Sequence, residues 1–343
     1  MWDAETIMMV ISGMKPLQSL INLVSFLLRR HKHARLLLRL AAADARFRDH
    51  FGVCSPTKMY SRATVVVTIL VTIGCLGLRT AQYIIRGETA GTSWAHDLSF
   101  LLVTFLGLWQ TLPLWWFHVV SVLILNWFTR LEQIFQYQKW LASKHKRQWY
   151  RIDFLVETYF ALADVVKAAD RAFNLFVLLS IARCVVTLCL TFYFPMEAER
   201  ILDLPDNLHW RLRVSIYCNI GWSSLEILLA ITYIGIFAYN GIRINEMART
   251  VVVPLISYKA ADEDEQYQVY LLAKKSGSQS SWGISAWRAF PIERSFVITL
   301  ISGILTYVFL IRKLKKEVTF NCGTLAEHSA MIHDFAGNSS FRI

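Results

Sequence analysis

Six stretches of the chain stay apolar long enough to leave water, and polar, mostly basic segments separate them. They fall at 7–28, 63–85, 98–128, 172–194, 214–239 and 295–314. A helix needs about 20 such residues to cross a hydrocarbon core, so the pattern predicts a bundle of membrane-spanning helices. The last stretch, SFVITLISGILTYVFLIRKL, organises the rest. Its uncharged centre, 296–311, is 16 residues long. Glu293 and Arg294 at one end, and Arg312 and Lys313 at the other, are placed to snorkel to the two interfaces. On a 3.6-residue period Thr299, Ser302, Gly303 and Thr306 share one narrow face. A stripe of small and hydroxyl side chains either packs closely against another helix or lines a wet path.

The other segments are read in the same way. Lys15, Pro16 and Asn22 interrupt the first run, and Pro113 predicts a kink in the third. The segment 29–50, RRHKHARLLLRLAAADARFRDH, is helical in pattern and strongly basic, which suits an amphipathic helix beside lipid headgroups. The mixed charges of 153–171 read as an extension of the fourth span beyond the bilayer. Arg183 and Glu226 lie inside the fourth and fifth spans, where charges are costly and either pair or face water. We expect these two to approach each other. The segment 241–291 reads as a long polar connection carrying an acidic cluster at 262–265 and the stretch SGSQSSWG.

Composition agrees with the membrane reading. The chain has 343 residues, is 55% hydrophobic and only 18% charged, against about 25% charged in soluble domains. The net charge of +11 is concentrated in 29–50, 129–151 and 241–291, which places these inside by the positive-inside rule. It points to anionic lipid, not nucleic acid. The loops 86–97 and 195–210 are neutral or acidic and belong outside. Alternation then directs the last helix outward and puts the C-terminus outside, although RKLKK at that exit breaks the rule. The 12 Trp suit interfacial belts. The six Cys form no Cys-x-x-Cys pair, and His31 and His33 lack carboxylate or thiol neighbours, so no metal site or disulfide framework is expected. MWDAET has acids where a signal peptide needs a basic start. No catalytic elbow, Walker loop or zinc helix occurs, so neither an enzyme nor a cofactor is expected. A G-protein-coupled receptor carries its C-terminus inside, opposite to this charge pattern.

One stretch resembles a known family. In 283–314, GISAWRAFPIERSFVITLISGILTYVFLIRKL, Phe290, Ile292 and Arg294 match the Phe-x-Ile/Leu-x-Arg lead-in of the arthropod gustatory receptors. Thr306 and Tyr307 match the Thr-Tyr of that family's last helix. Lys313–Leu314 stands where the family has Gln-Phe, and Arg312 replaces a hydrophobic residue. The family has seven spans. Six are visible here, and the family's first helix has no counterpart.

The resemblance implies an all-α, inverted-topology chemoreceptor bundle in the plasma membrane, working as a homotetrameric, ligand-gated cation channel. Related subunits could also join it. Four copies of the last helix would line one pore with Thr299, Ser302, Gly303, Thr306, Leu310 and Lys313. A small organic tastant would bind in the outer half of each subunit, where position nominates Gln82, Tyr83, Trp109, Gln110, Tyr193, Asn219 and Trp222. The expected division is a bundle over 1–240, a cytoplasmic anchor over 241–294, the pore helix over 295–314 and a tail over 315–343. A non-conducting relative, or a transporter using Arg183 and Glu226, is the alternative.

Overall fold

In the computed structural model, long helices stack along one another and overshoot what a bilayer requires. It describes residues 4–52, scattered positions between 62 and 81, 94–144, 150–202, 210–256, 263–278, 283–286 and 290–313. Along 4–12, 94–111, 193–202 and most of 210–222 only the backbone is described. The elements are α1 (Ala4–Leu28), α2 (Arg30–Phe51), a third helix α3 at the described positions within 62–81, α4 (Trp94–Ser143), α5 (Ile152–Leu202), α6 (Trp210–Thr250), α7 (Val253–Ile256) and α8 (Glu263–Ser278). Two short strands follow, β1 (Ser285–Ala286) and β2 (Phe290–Pro291), and then α9 (Arg294–Lys313).

Four helices among the described residues are long and apolar enough to cross a membrane: 112–141, 152–192, 223–250 and 294–313. Pro16–Leu28 is a shorter apolar helical stretch within α1. Pro16 does not break that helix, which runs 25 residues through it. Nor does α4 stop at residue 128, where the third apolar run ends. It continues for four more turns to Ser143 because Leu131, Phe135, Gln138 and Leu141 extend its buried face at helical spacing.

The same holds at residue 240, where the fifth apolar run has ended. Helix α6 crosses it unbroken to Thr250, because Tyr233, Phe237, Asn240, Ile244 and Ala248 form one buried stripe with an (i, i+3/i+4) spacing. Apolar patterning at the base of the bundle follows protein burial, not the lipid boundary, so span length alone does not locate the end of a helix.

Helices α4, α5 and α6 meet through four phenylalanines. Phe117 lies 5.4 Å from Phe173 and 5.2 Å from Phe237, and Phe176 lies 5.7 Å from Phe237. Edge-on aromatic pairs of this kind contribute about 0.5–1.5 kcal/mol each beyond their burial. Helix α2 runs antiparallel to the first half of α5. Arg39 donates to the Asp164 carbonyl at 2.9 Å, Arg46 pairs with Glu157 at 2.9 Å, and His50 packs on Phe154 at 4.7 Å. Leu36, Leu40, Ala43 and Phe47 form the buried face of α2.

Candidate functional site

The lead-in to α9 is fastened to α5 and α6 by a set of short polar contacts. Asn245 on α6 is buried and uses both ends of its amide. Its Oδ1 accepts from the Ile284 N–H at 2.8 Å. Its Nδ2 donates to the Ile292 carbonyl at 3.0 Å and to the Ile284 carbonyl at 3.3 Å. The Ile292 N–H donates in turn to the Ile284 carbonyl at 3.1 Å, and β1 and β2 pair antiparallel around it. One side chain thus satisfies main-chain groups of Ile284 and Ile292, the residues that flank the two short strands.

Two glycines make the approach possible. A Cβ on Gly283, whose φ is +151°, would stand 2.0 Å from Asn245 Oδ1, and a Cβ on Gly241 would stand 2.7 Å from Ile292. From α5, Asp170 accepts from the Ser285 N–H at 2.8 Å and its hydroxyl at 2.7 Å. The Tyr159 hydroxyl donates to the Ala248 carbonyl at 2.8 Å. Nearer solvent, Arg294 bonds Glu246 at 2.7 Å and Arg249 bonds Glu293 at 2.6 Å. These four charges, with Ile242, Asn245 and Ser295, line a cleft of about 220 Å³. The three residues of the Phe-x-Ile-x-Arg lead-in therefore do different work. Ile292 is buried against Gly241, Arg294 makes the outer ion pair, and Phe290 stacks on Phe296 with centroids 6.3 Å apart.

Helix α9 leaves this clamp with little cover from its own chain. Ile304 is its only buried residue among those described, and Phe296, Leu300 and Val308 are partly covered on the same side. At about 100° per residue, Thr299, Ser302, Gly303, Thr306, Leu310 and Lys313 lie on the far side, and all are exposed. The Thr299 hydroxyl bonds the Ser295 carbonyl at 2.9 Å, and Thr306 bonds the Ser302 carbonyl at 2.8 Å. Both oxygens keep acceptor capacity directed outward. Tyr307 is exposed on a flank. The remaining sector, Ile298, Ile301, Leu305 and Phe309, is apolar and uncovered.

The charges inside the bundle behave differently from expectation. Arg183 and Glu226 are both buried and lie within electrostatic range of Cys184 and Tyr233. Among the described residues, however, no ion pair joins them. The Arg183 guanidinium sits 5.0 Å above the Tyr233 ring and donates to Cys184 Sγ at 3.8 Å, and its Nε has no partner. The expected pairing is thus replaced by a cation–π contact, because Tyr233 follows Glu226 by two turns on the same face of α6 and occupies the approach.

A second buried polar contact, His118 to Asn240 at 3.0 Å, joins α4 and α6 below it. Gln82 and Tyr83 lie outside the described residues, as do the side chains of Trp109, Gln110, Tyr193, Asn219 and Trp222. Residues 314–343 also lie outside them. No cluster of three metal-ligating side chains occurs among the described residues.

The sequence model described as 7tm Chemosensory receptor matches residues 4–311, from the first helix to the last. The chain belongs to the 7tm chemosensory receptor family. A nematode member of the curated proteins, named Probable G-protein coupled receptor egl-47 of Caenorhabditis elegans, is 28% identical over 327 residues. That alignment takes in 92% of this chain but only 61% of the relative, so the chain spans about three fifths of the relative's length. The insect olfactory receptor OR5 from Machilis hrabei shares the fold, with a TM-score of 0.62 at 13% identity over 90% of this chain and 81% of that one. The same receptor in complex with eugenol gives a TM-score of 0.60 at 12% identity, over 89% and 82%. This chemoreceptor is therefore an all-helical, multi-pass membrane protein of the insect-type receptor fold. Asn245, Asp170, Tyr159 and Gly241 of this clamp carry no motif in the sequence.

Proposed function

We propose that this chemosensory receptor is a gustatory-type, ligand-gated cation channel. Four copies of α9 surround the pore, and a small organic tastant opens it from a pocket in each subunit. The observation that carries the proposal is the distribution of side chains on α9. One side packs on its own chain, and the opposite side carries the hydroxyl stripe. A lone span in lipid has no use for Thr299, Ser302 and Thr306 on one line, whereas a water-filled axis shared between subunits does. The uncovered sector of Ile298, Ile301, Leu305 and Phe309 suits a neighbouring subunit or acyl chains. In this arrangement the C-terminus lies outside the plasma membrane, and the clamp on α6 is the cytoplasmic anchor that carries movement of the bundle to α9.

Lys313 distinguishes this receptor from a generic cation pore. Four ammonium groups near one mouth repel by roughly a few kcal/mol in partly screened surroundings and slow cation exit. Reversal potentials recorded with and without Lys313→Gln test the proposal. A shift toward stronger cation selectivity in the variant supports it, and an unchanged cation current places Lys313 outside the conduction path. The name of the nematode relative carries a second reading, signalling through a G protein. That reading requires ligand responses to stop in excised patches lacking GTP, whereas a channel keeps them.

A further inference from the structure

We propose that the buried charges Arg183 and Glu226 bracket a binding site for a zwitterion, an α-amino acid with an apolar side chain. This rests on the reading that each subunit holds a small organic ligand, and it names the class of that ligand. Arg183 is 9% exposed and Glu226 2%. Both lie in helices long and apolar enough to cross a membrane. Charges at that depth are costly unless they are paired or face water. These two act on the same neighbours, Cys184 and Tyr233. Even so, no ion pair joins them among the described residues.

The guanidinium is short of acceptors. Its one hydrogen bond goes to Cys184 Sγ at 3.8 Å, and thiol sulfur is a weak acceptor. Arg183 Nε has no partner. Two further side chains around it are buried and unpartnered among the described residues. Ser223, one turn before Glu226 on α6, has an unpaired hydroxyl. Asn22 on α1 is 1% exposed, and neither end of its amide is paired. Contacts on either side place Asn22 against this part of α5. One turn before it, Gln18 donates to Ser180 at 3.1 Å, and one turn after it, Phe26 packs edge-on against Phe176 with centroids 6.4 Å apart. Ser180 is itself one turn from Arg183. Buried polar groups are paired with few exceptions, so three such orphans beside one separated pair of charges point to a polar ligand.

The charges choose the class. A simple carboxylate would suit Arg183 but set a second anion near Glu226, and a simple amine would be repelled by Arg183. A zwitterion leaves the layer neutral. Its carboxylate accepts from Arg183 and from the Asn22 amide, and its ammonium donates to the Ser223 hydroxyl and to Glu226, whose carboxylate has several acceptor sites. The two charged groups of an α-amino acid are one carbon apart, which bridges side chains that do not meet directly. Ile181, Leu188 and Leu229 are buried on the same stretches of α5 and α6 and suit an apolar ligand side chain. Thr187 and Thr191, both buried, continue the face of Arg183 at helical spacing and extend the polar seam along α5.

The full chain in phosphatidylcholine nanodiscs is titrated with tritiated L-leucine, and bound label is counted. Saturable binding is expected, competed by unlabelled L-leucine but not by isocaproate or isopentylamine, which each carry only one of its charges. Asn22→Leu and Ser223→Ala should each weaken binding on the order of tenfold. Their melting temperatures should hold or rise, because each removes a buried polar group that has no partner within the chain. A merely structural role for these side chains would leave affinity unmoved. No saturable binding of leucine, full competition by either singly charged analogue, or parental affinity in either variant would overturn the proposal. Binding is read without current, so a receptor that ignores leucine yet opens to another tastant would contradict this inference and leave the channel reading standing.

Discussion

Asn245 and Ile284 exchange two hydrogen bonds: the amide oxygen of Asn245 accepts from the Ile284 N–H at 2.8 Å, and its nitrogen donates to the Ile284 carbonyl at 3.3 Å. A side chain on a helix here takes the role of a neighbouring strand. The contact holds the two-strand turn from which α9 departs, together with the Asp170 contacts to Ser285.

Replacing Asn245 with Leu keeps the volume and removes that role. Each buried main-chain group left unpaired costs about 1–3 kcal/mol. We expect a clear fall in melting temperature of the detergent-purified receptor and lower surface expression. Gly283→Ala should be as severe, since its Cβ would fall 2.0 Å from Asn245 Oδ1 at a φ of +151°. If Gly283→Ala melts like the parent, the turn is not held as described.

The outer ion pairs are expected to matter little for stability. The Arg294 side chain is 75% exposed, and water screens an exposed pair so that it adds little to stability. Glu246→Gln should therefore melt close to the parent. Glu246→Lys should weaken ligand responses through like charges, and adding Arg294→Glu should restore them. A double variant no better than Glu246→Lys would show that this pair does not steer α9.

Arg183 and Glu226 make a sharper case. Each is a buried charge acting on Cys184 and Tyr233, so removing one unbalances the net charge of that buried cluster. Arg183→Met and Glu226→Gln should each lower expression, while the double variant recovers it because both charges are gone. Exchanging the two charges should not rescue, because a carboxylate cannot take the guanidinium's seat over the Tyr233 ring. Rescue by exchange would instead indicate a direct ion pair.

His33 predicts a pH dependence of stability. Burial, and then Arg29, lower its pKa from 6.5 to about 4. The unfolded chain takes up a proton near pH 6.5 that the folded chain resists until near pH 4. The contribution is therefore complete above pH 6.5 and is lost as pH falls toward 4. Thermal melts of the receptor between pH 7.5 and 4.5 should show this fall, and His33→Phe should flatten it. A parent profile that the substitution leaves unaltered would contradict the assignment.

Much of the architecture was legible from apolar run length and from period. The 16 uncharged residues of 296–311 announced α9, and the spacing of Thr299, Ser302, Gly303 and Thr306 announced a stripe that is exposed on one side. Loop composition did not show where α4 and α6 end, because their buried faces continue past the apolar runs. Beyond its lead-in residues, the clamp's contacts were not legible. Asn245 meets Ile284 and Ile292 across 39 and 47 residues, and Asp170 meets Ser285 across 115. Asn, Asp and Gly at such separations carry no local pattern, and two-residue strands give no alternation to detect. Arg183 is buried, but its contact with the Tyr233 ring could not be read from the sequence.

The most direct test of the shared pore is labelling of single cysteines along α9 from the bath with a charged methanethiosulfonate while current is recorded. Thr299→Cys and Thr306→Cys should react and block current, faster with ligand present, whereas Val297→Cys and Phe309→Cys should stay silent. Silent threonine positions together with reactive Val297 or Phe309 positions would contradict a pore lined by the hydroxyl face of this helix.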